Sequence, residues 1–109
     1  MSDKLSLLLK AYREAIIKLF GKRAAKIILY GSYARGDFEQ DSDMDIMILA
    51  DIRPEEISCY ADKVYDITYD FEMQYGVEIN PSIQCMRTYE QWKNVYPFFM
   101  NIEKEGVAV

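Results

Sequence analysis

The chain of 109 residues contains no histidine and only two cysteines. The lack of histidine excludes a His-ligated zinc site and every mechanism that uses a histidine base. Cys59 and Cys85 stand far apart, outside any metal-binding spacing, so both are expected to be reduced and partly buried. A metal ion held by this chain would therefore be bound by carboxylates, which favours magnesium or manganese.

Long hydrophobic runs and clusters of positive charge are also missing. No apolar stretch is long enough to cross a membrane and no signal peptide is recognised, so the cytoplasm is the expected compartment. Thirteen basic and eighteen acidic residues give a net charge of −5, and Lys and Arg are not concentrated along any stretch. Autonomous nucleic-acid binding is therefore disfavoured.

The size of the chain limits it to a single domain spanning residues 1–109. With 50% hydrophobic residues it is large enough for one core and too small for two. No second, substrate-binding domain is expected. A large acceptor substrate would then be held by a partner protein, by a second copy of the chain or by the domain itself.

Apolar residues at steps of three and four predict two long helices. The first covers residues 3 to 20 and stops at Gly21, and the second runs from an entrance at Pro54 to a stop at Gly76. Tyr65 and Tyr69 flank the apolar stripe of the second helix, together with Tyr60. These tyrosines either pack in the core or present an aromatic band to a partner.

Strands are predicted at residues 26–30, at 42–49 and at 77–84, where Pro81 favours an edge or irregular strand. Thr88 and Gln91 form a capping box that predicts a helix through about Val95. A second short helix follows over residues 98–105. Four aromatic residues of this region are expected to pack on the sheet, with a dimer surface as the alternative: Trp92, Tyr96, Phe98 and Phe99. Strands separated by a long helix, with a helix leading in, indicate an α/β sandwich around a small mixed sheet.

The densest group of polar residues follows the first predicted strand. It reads Leu29-Tyr30-Gly31-Ser32-Tyr33-Ala34-Arg35-Gly36-Asp37 and, after a polar loop, Ser42-Asp43-Met44-Asp45-Ile46. On an extended strand Asp43 and Asp45 share one face, while Met44 and Ile46 point to the interior. Residues two apart on a strand face lie about 6 to 7 Å apart, which suits carboxylates that bridge two divalent ions roughly 3.5 to 4 Å apart.

The glycine turn supplies groups that suit an anion. Gly31 lets the backbone approach a phosphate, and a short helix beginning at Ser32 would direct free amides toward it. Arg35 lies three residues further on. It either turns toward a triphosphate, where its planar fork would neutralise charge, or forms a salt bridge to Asp37 or Glu39.

Taken together, Gly31-Ser32, Ala34-Arg35-Gly36, Ser42 and Asp43-x-Asp45 resemble the signature of the DNA polymerase β-like nucleotidyltransferase superfamily. Within it the chain is most similar to the minimal nucleotidyltransferases (MNT), small prokaryotic proteins paired with HEPN-domain partners in toxin–antitoxin modules. The likeness covers nearly the whole chain. It implies a nucleotidyltransferase fold of the α/β (α+β) class, a small mixed sheet packed against helices.

This resemblance also implies an activity and a partner. The expected reaction is Mg²⁺-dependent transfer of AMP from ATP to a protein hydroxyl, with two Mg²⁺ ions, or Mn²⁺, in the site. The expected acceptor is a tyrosine of a cognate HEPN toxin, which would make the chain an antitoxin. By the same resemblance Asp43 and Asp45 are catalytic metal ligands, and the nucleotide is bound by Gly31, Ser32, Arg35 and Ser42.

The resembled family takes a third carboxylate from a later strand, and here the sequence departs from the pattern. The polar face of residues 77–84 offers Glu78, Asn80 and Ser82 but no aspartate. Glu78 would complete the catalytic and metal-binding set if the register places it beside Asp43, whereas Asn80 would coordinate without adding charge. An alternative is therefore a catalytically impaired module that neutralises its HEPN partner by binding alone. Transfer to an antibiotic or another small alcohol is a third possibility, disfavoured by the lack of an acceptor domain.

Overall fold

The computed structural model describes residues 2–109 as a mixed sheet with helices on both faces. The elements are α1 (Asp3–Phe20), β1 (Ala25–Tyr30), α2 (Ser32–Arg35), β2 (Met44–Ala50), a 3-10 turn (Pro54–Glu56), α3 (Ile57–Tyr75), β3 (Ile79–Cys85), α4 (Met86–Trp92), α5 (Pro97–Glu105) and β4 (Val107–Ala108). The two long helices stop at Gly21 and Gly76, as the sequence predicts.

The sheet has the strand order β3-β2-β1-β4. β1 pairs antiparallel with β2 and β4, whereas β2 and β3 are parallel because α3 carries the chain back between them. The predicted small mixed sheet is confirmed, and β3 lies at an edge, as Pro81 indicates. The tail after Gly106, for which no strand was expected, adds β4 beside β1.

One face of the sheet packs against α1 and α3. Tyr12 of α1 is fully buried and donates a hydrogen bond to Thr68 Oγ1 of α3 at 2.8 Å, while the Thr68 hydroxyl donates to the Val64 carbonyl at 2.7 Å. Burial raises the pKa of Tyr12 to about 12. The core on this face includes Leu8, Ile16, Ile46, Ile48 and Val64.

The opposite face packs against α4 and α5. Met47 and Leu49 of β2 contact a second cluster with Tyr89, Phe99 and Ile102. Because Ile46 and Ile48 are buried on the first face, β2 is covered on both faces over most of its length. Its first residues lie at the open end of the sheet, where the candidate site is found.

The predicted start of α4 is wrong. The helix begins at Met86, directly after β3, and Thr88 lies in its first turn instead of capping it. Strand passes into helix here without a loop, and the Cys85 N–H donates to Gln84 Oε1 at 2.9 Å. The helix ends at Trp92, earlier than the predicted Val95.

The predicted packing of the aromatic residues near the C-terminus is only partly correct. Phe99 is buried, but Trp92 of α4, Phe98 of α5 and Tyr96 in the turn between the two helices are 46%, 40% and 51% exposed. On α3, Tyr60 stacks on Phe20 with ring centroids 4.5 Å apart, whereas its neighbours Tyr65 and Tyr69 are exposed.

Both cysteines are free, as expected. Cys85 is buried, but Cys59 is exposed on the outer side of α3, so the prediction of partial burial is wrong for Cys59. Among the helices of residues 2–109, none combines the length and apolarity needed to cross a membrane.

Candidate active site

The site is built around the turn that follows β1. Gly31 adopts a φ of 73°, in the region that L side chains avoid, and a Cβ atom at this position would overlap Asp45 Oδ2. The carboxylate of Asp45 therefore lies directly against the backbone of Gly31. Helix α2 begins at the next residue, Ser32, as the sequence indicates, and ends at Arg35. Gly36 caps it, and the Gly36 N–H donates to the Ser32 carbonyl at 2.9 Å.

Asp45 lies in the middle of a polar row that crosses three strands. It is directly opposite Tyr30 of β1 and in register with Asn80 of β3. Asn80 Nδ2 donates to Asp45 Oδ1 at 3.2 Å. One oxygen of Asp45 is thus oriented by Asn80 while the other faces Gly31.

Asp43 and Glu78 form a second pair at the same end of the sheet. Both residues were predicted within their strands, but each lies just before one, Asp43 before β2 and Glu78 before β3. The Met44 N–H donates to the Glu78 carbonyl at 2.8 Å. A hydrogen bond with the Asp43 carboxyl group, and then its negative charge, raise the pKa of Glu78. The structure therefore places Glu78 beside Asp43. This is the position that the sequence analysis set as the condition for Glu78 to serve as the third carboxylate.

The four side chains meet as two pairs instead of one closed cluster. Within residues 2–109, no group of three or more Cys, Asp or Glu side chains is arranged to hold a metal ion. The donors are nevertheless hard oxygen atoms, the type that Mg²⁺ prefers, and Asp43 beside Glu78 concentrates negative charge. The donor atoms of these residues are therefore suitable ligands for Mg²⁺. The three-carboxylate site of Asp43, Asp45 and Glu78 stays a prediction.

Arg35 is held by two carboxylates in this structure. Its Nε bonds Asp37 Oδ2 at 3.2 Å, and its Nη1 lies 3.3 Å from Glu105 Oε1 at the end of α5. The salt bridge to Asp37 is one of the two roles left open by the sequence, whereas Glu39 takes no part in it. Glu105 was missed because the contact spans 70 residues of sequence.

Ser42 stabilises the loop that leads into β2. Its Oγ accepts a hydrogen bond from the Glu39 N–H at 2.9 Å. Next to it opens a cleft of about 380 Å³, large enough for part of a small ligand. Its lining joins the loop to the segment before β3: Tyr33, Gln40, Asp41, Ser42, Gly76, Val77 and Glu78. We name this the polar cleft.

Tyr30 borders the site and was not singled out as a functional residue by the sequence. Burial raises the pKa of Tyr30, against a hydrogen bond with Ser82, and the charge of Asp45 raises it further. The phenol therefore stays neutral at physiological pH. The antiparallel pairing of β1 with β2 places Tyr30 opposite Asp45, a relationship that only the register reveals.

Comparison with known proteins connects this geometry to a chemistry. A family model described as a nucleotidyltransferase domain matches residues 9–104. A protein of Methanocaldococcus jannaschii named "Putative protein adenylyltransferase" is 34% identical over 98 residues, covering 90% of each chain. A second protein of the same name and organism is 30% identical over 76 residues, which is 70% of this chain and 75% of the relative.

A solved structure shares the fold. It is a crystal structure of a toxin–antitoxin with AMP-PNP, which aligns with a TM-score of 0.52 at 18% sequence identity over 87% of this chain and 69% of that chain. The resemblance carried by the Gly31-Ser32 turn and the Asp43-x-Asp45 motif is confirmed by these comparisons.

Proposed function

Because the chain belongs to the nucleotidyltransferase domain family, we propose that it is a Mg²⁺-dependent enzyme that transfers AMP from ATP to a hydroxyl group of another protein. The observation that carries this proposal is the position of Asp45 against Gly31, with Asp43 and Glu78 paired beside it at one end of the sheet. Carboxylates and a backbone open to phosphate are what nucleotidyl transfer requires.

In this proposal the side chains position the reactants. Asp43, Asp45 and Glu78 would hold Mg²⁺, which when bound polarises the α-phosphate and neutralises the leaving pyrophosphate. The acceptor oxygen forms a bond to the α-phosphorus as the bond to the bridging oxygen of pyrophosphate breaks. Glu78, at the rim of the polar cleft, accepts the proton of the acceptor hydroxyl.

The nucleotide would be bound by the turn and its neighbours. Gly31 and Ser32 would contribute backbone and hydroxyl groups, and Ser42 lines the polar cleft together with Tyr33, the residue after Ser32. Arg35 is 45% exposed, and exposed ion pairs contribute little to stability. It can therefore exchange its bonds to Asp37 and Glu105 for a bond to a triphosphate.

The acceptor is proposed to be a tyrosine of a cognate HEPN toxin, so that the chain acts as an antitoxin in the cytoplasm. The names of the relatives support a protein acceptor, and the toxin–antitoxin neighbour supports a toxin partner. A single domain over residues 1–109 leaves acceptor recognition to its own surface, to the partner or to a second copy. Antibiotics and other small alcohols are less favoured acceptors.

A second function, neutralisation of the toxin by binding alone, is favoured by one observation. The residue of β3 in register with Asp45 is Asn80, an amide, and the described residues contain no closed three-carboxylate cluster. In that case the motif would stabilise the fold without supporting turnover. Asp43→Asn together with Asp45→Asn separates the two functions, since toxin neutralisation would survive the double substitution only if binding suffices.

The test of the proposed transfer is an intact-mass measurement. Purified chain and its HEPN partner are incubated with ATP and Mg²⁺, and each modified hydroxyl is expected to add one adenylyl unit to the partner. The gain should disappear in EDTA and with Asp45→Asn. No gain of mass with the wild-type chain, under conditions where the two proteins form a complex, would reject the transferase in favour of binding alone.

A further inference from the structure

The outward face of β3 links the candidate active site to a second opening. Asn80, Ser82 and Gln84 alternate along the strand and share the face of Asp45, since Asp45 is in register with Asn80 and Leu49 with Gln84. Gln84 lines a cavity of about 300 Å³ together with Thr88, Trp92, Tyr96 and Phe99. We name this the aromatic cavity. Gln84 lies four residues beyond Asn80 on β3, which places the cavity about 13 Å along the strand from the site.

A series of neighbouring aromatic rings extends from the aromatic cavity to Tyr30 at the candidate active site. Within the cavity the rings of Tyr96 and Phe99 lie 4.9 Å apart, and Tyr96 is 6.4 Å from Phe98. Phe98 in turn is 5.7 Å from Tyr30, the residue opposite Asp45. Trp92 and Tyr96 are about half exposed, and exposed aromatic residues grouped beside a cavity are typical of interaction surfaces.

The two openings lie at different distances from the carboxylates and differ in chemistry. The polar cleft includes Ser42 and Glu78 and borders the loop that follows the glycine turn, which suits the nucleotide. The aromatic cavity lies toward α4 and α5 and is lined mainly by rings, which suits an apolar side chain. Because β3 is the edge strand, an extended segment can lie along it without displacing another strand.

We propose that the β3 face and the aromatic cavity form the acceptor-binding groove. An extended polypeptide segment lies along Asn80, Ser82 and Gln84, places its hydroxyl residue at the carboxylates, and inserts an apolar side chain about four residues away into the aromatic cavity. This inference rests on the proposed function, because it assigns a binding surface to the acceptor of that reaction.

Trp92 provides a direct probe, since it is the only tryptophan of the chain and lines the cavity. Synthetic peptides with a central tyrosine, and one leucine moved through a Gly/Ser background, are titrated while Trp92 fluorescence is recorded. The fluorescence change is expected to be largest when leucine lies four residues from tyrosine on one side. Tyr96→Ser is expected to weaken the Kd of that peptide about tenfold, because it removes apolar surface from the pocket.

The matched control is Tyr65→Ser on α3, on the other side of the sheet. Tyr65 is 56% exposed and Tyr96 is 51% exposed, so both substitutions remove a similarly exposed ring. Tyr65→Ser should leave the peptide Kd unchanged. Thr88→Lys, at the wall of the cavity, provides a second variant that narrows the pocket without truncating an aromatic ring, and it should weaken the same peptide.

Three results would reject the proposed acceptor-binding groove. The first is a fluorescence response that does not depend on the leucine position, and the second is a loss of peptide affinity with Tyr65→Ser as large as with Tyr96→Ser. The third is saturation of the Trp92 response by an ATP analogue that also blocks the binding of every peptide. The last result would assign the cavity to the nucleobase.

The two proposals fail in different ways. Peptides that bind with the expected spacing to a chain that never transfers adenylyl groups would leave the groove standing and reject the enzyme. Adenylylation of the partner without any peptide binding would support the enzyme and reject the groove.

Discussion

Asp45 lies so close to Gly31 that a methyl group at position 31 would overlap the Asp45 carboxylate. Gly31 also has a φ of 73°, so an alanine there meets both backbone strain and a steric clash. Gly36 has a φ of 83° but nothing within 4 Å of its added Cβ. Alanine substitutions at the two glycines therefore distinguish the free-energy cost of backbone strain from the cost of displacing Asp45.

We expect Gly31→Ala to lower the free energy of unfolding by more than Gly36→Ala. The control substitution should cost about 1 kcal/mol, as expected for backbone strain alone. Urea denaturation of both variants measures the difference. Nucleotide binding should be lost only in Gly31→Ala, and equal effects of the two substitutions on binding would show that the Asp45 contact has no role in the site.

Glu78 and Asn80 compete for the role of the third metal ligand. We expect Glu78→Gln to lower kcat by about 10²-fold or more, because it removes the proton acceptor and a negative charge beside Asp43. Asn80→Ala should lower kcat by less than about tenfold, since it removes only the group that orients Asp45. Single-turnover adenylyl transfer by both variants measures this order, and the opposite order would assign the role to Asn80.

Arg35 is expected to act on nucleotide binding and not on stability. Arg35→Ala should raise the KM for ATP severalfold, because the charge that would meet the triphosphate is lost. Glu105→Gln frees one side of the guanidinium and should lower the KM or leave it unchanged. If Arg35→Ala leaves the KM unchanged, the bonds to Asp37 and Glu105 are its only role.

The buried Tyr12, hydrogen-bonded to Thr68, is expected to lower the stability of the fold as the pH rises into the alkaline range. Because burial raises the pKa of Tyr12 to about 12, the folded state holds this proton more tightly than the unfolded state. Its contribution is complete below the ordinary pKa of about 10 and is lost as the pH rises toward the folded value. Thermal melts from neutral to alkaline pH should therefore fall less steeply for Tyr12→Phe than for the wild type. Parallel curves would contradict the assignment.

Features set by local sequence were predictable. The helix of residues 3 to 20 stops at Gly21 because apolar spacing and a glycine suffice to define it. The glycine turn and the short helix at Ser32 follow equally from neighbouring residues. The pairing of Glu78 with Asp43 was predicted only as a condition, since it depends on how β3 aligns with β2.

Features set by distant contacts were not predictable. Glu105 reaches Arg35 from α5, and Asn80 bonds Asp45 through a register that only the folded sheet determines. The exposure of Trp92 and Tyr96 was also missed, because hydrophobicity does not distinguish an aromatic residue of the core from one of a binding surface. The misplaced start of α4 has a similar origin, since Thr88 suits a helix cap but the strand turns into helix before it.

Isothermal titration with an ATP analogue whose α,β-bridging oxygen is replaced by methylene, with and without Mg²⁺, is the most direct test of the proposed site. The wild-type chain is expected to bind the analogue only with Mg²⁺, and Asp45→Asn should abolish this heat while leaving the fold intact. Binding that is absent in the wild type, or that is equal with and without Mg²⁺, would contradict a nucleotidyltransferase site at Gly31, Asp43 and Asp45.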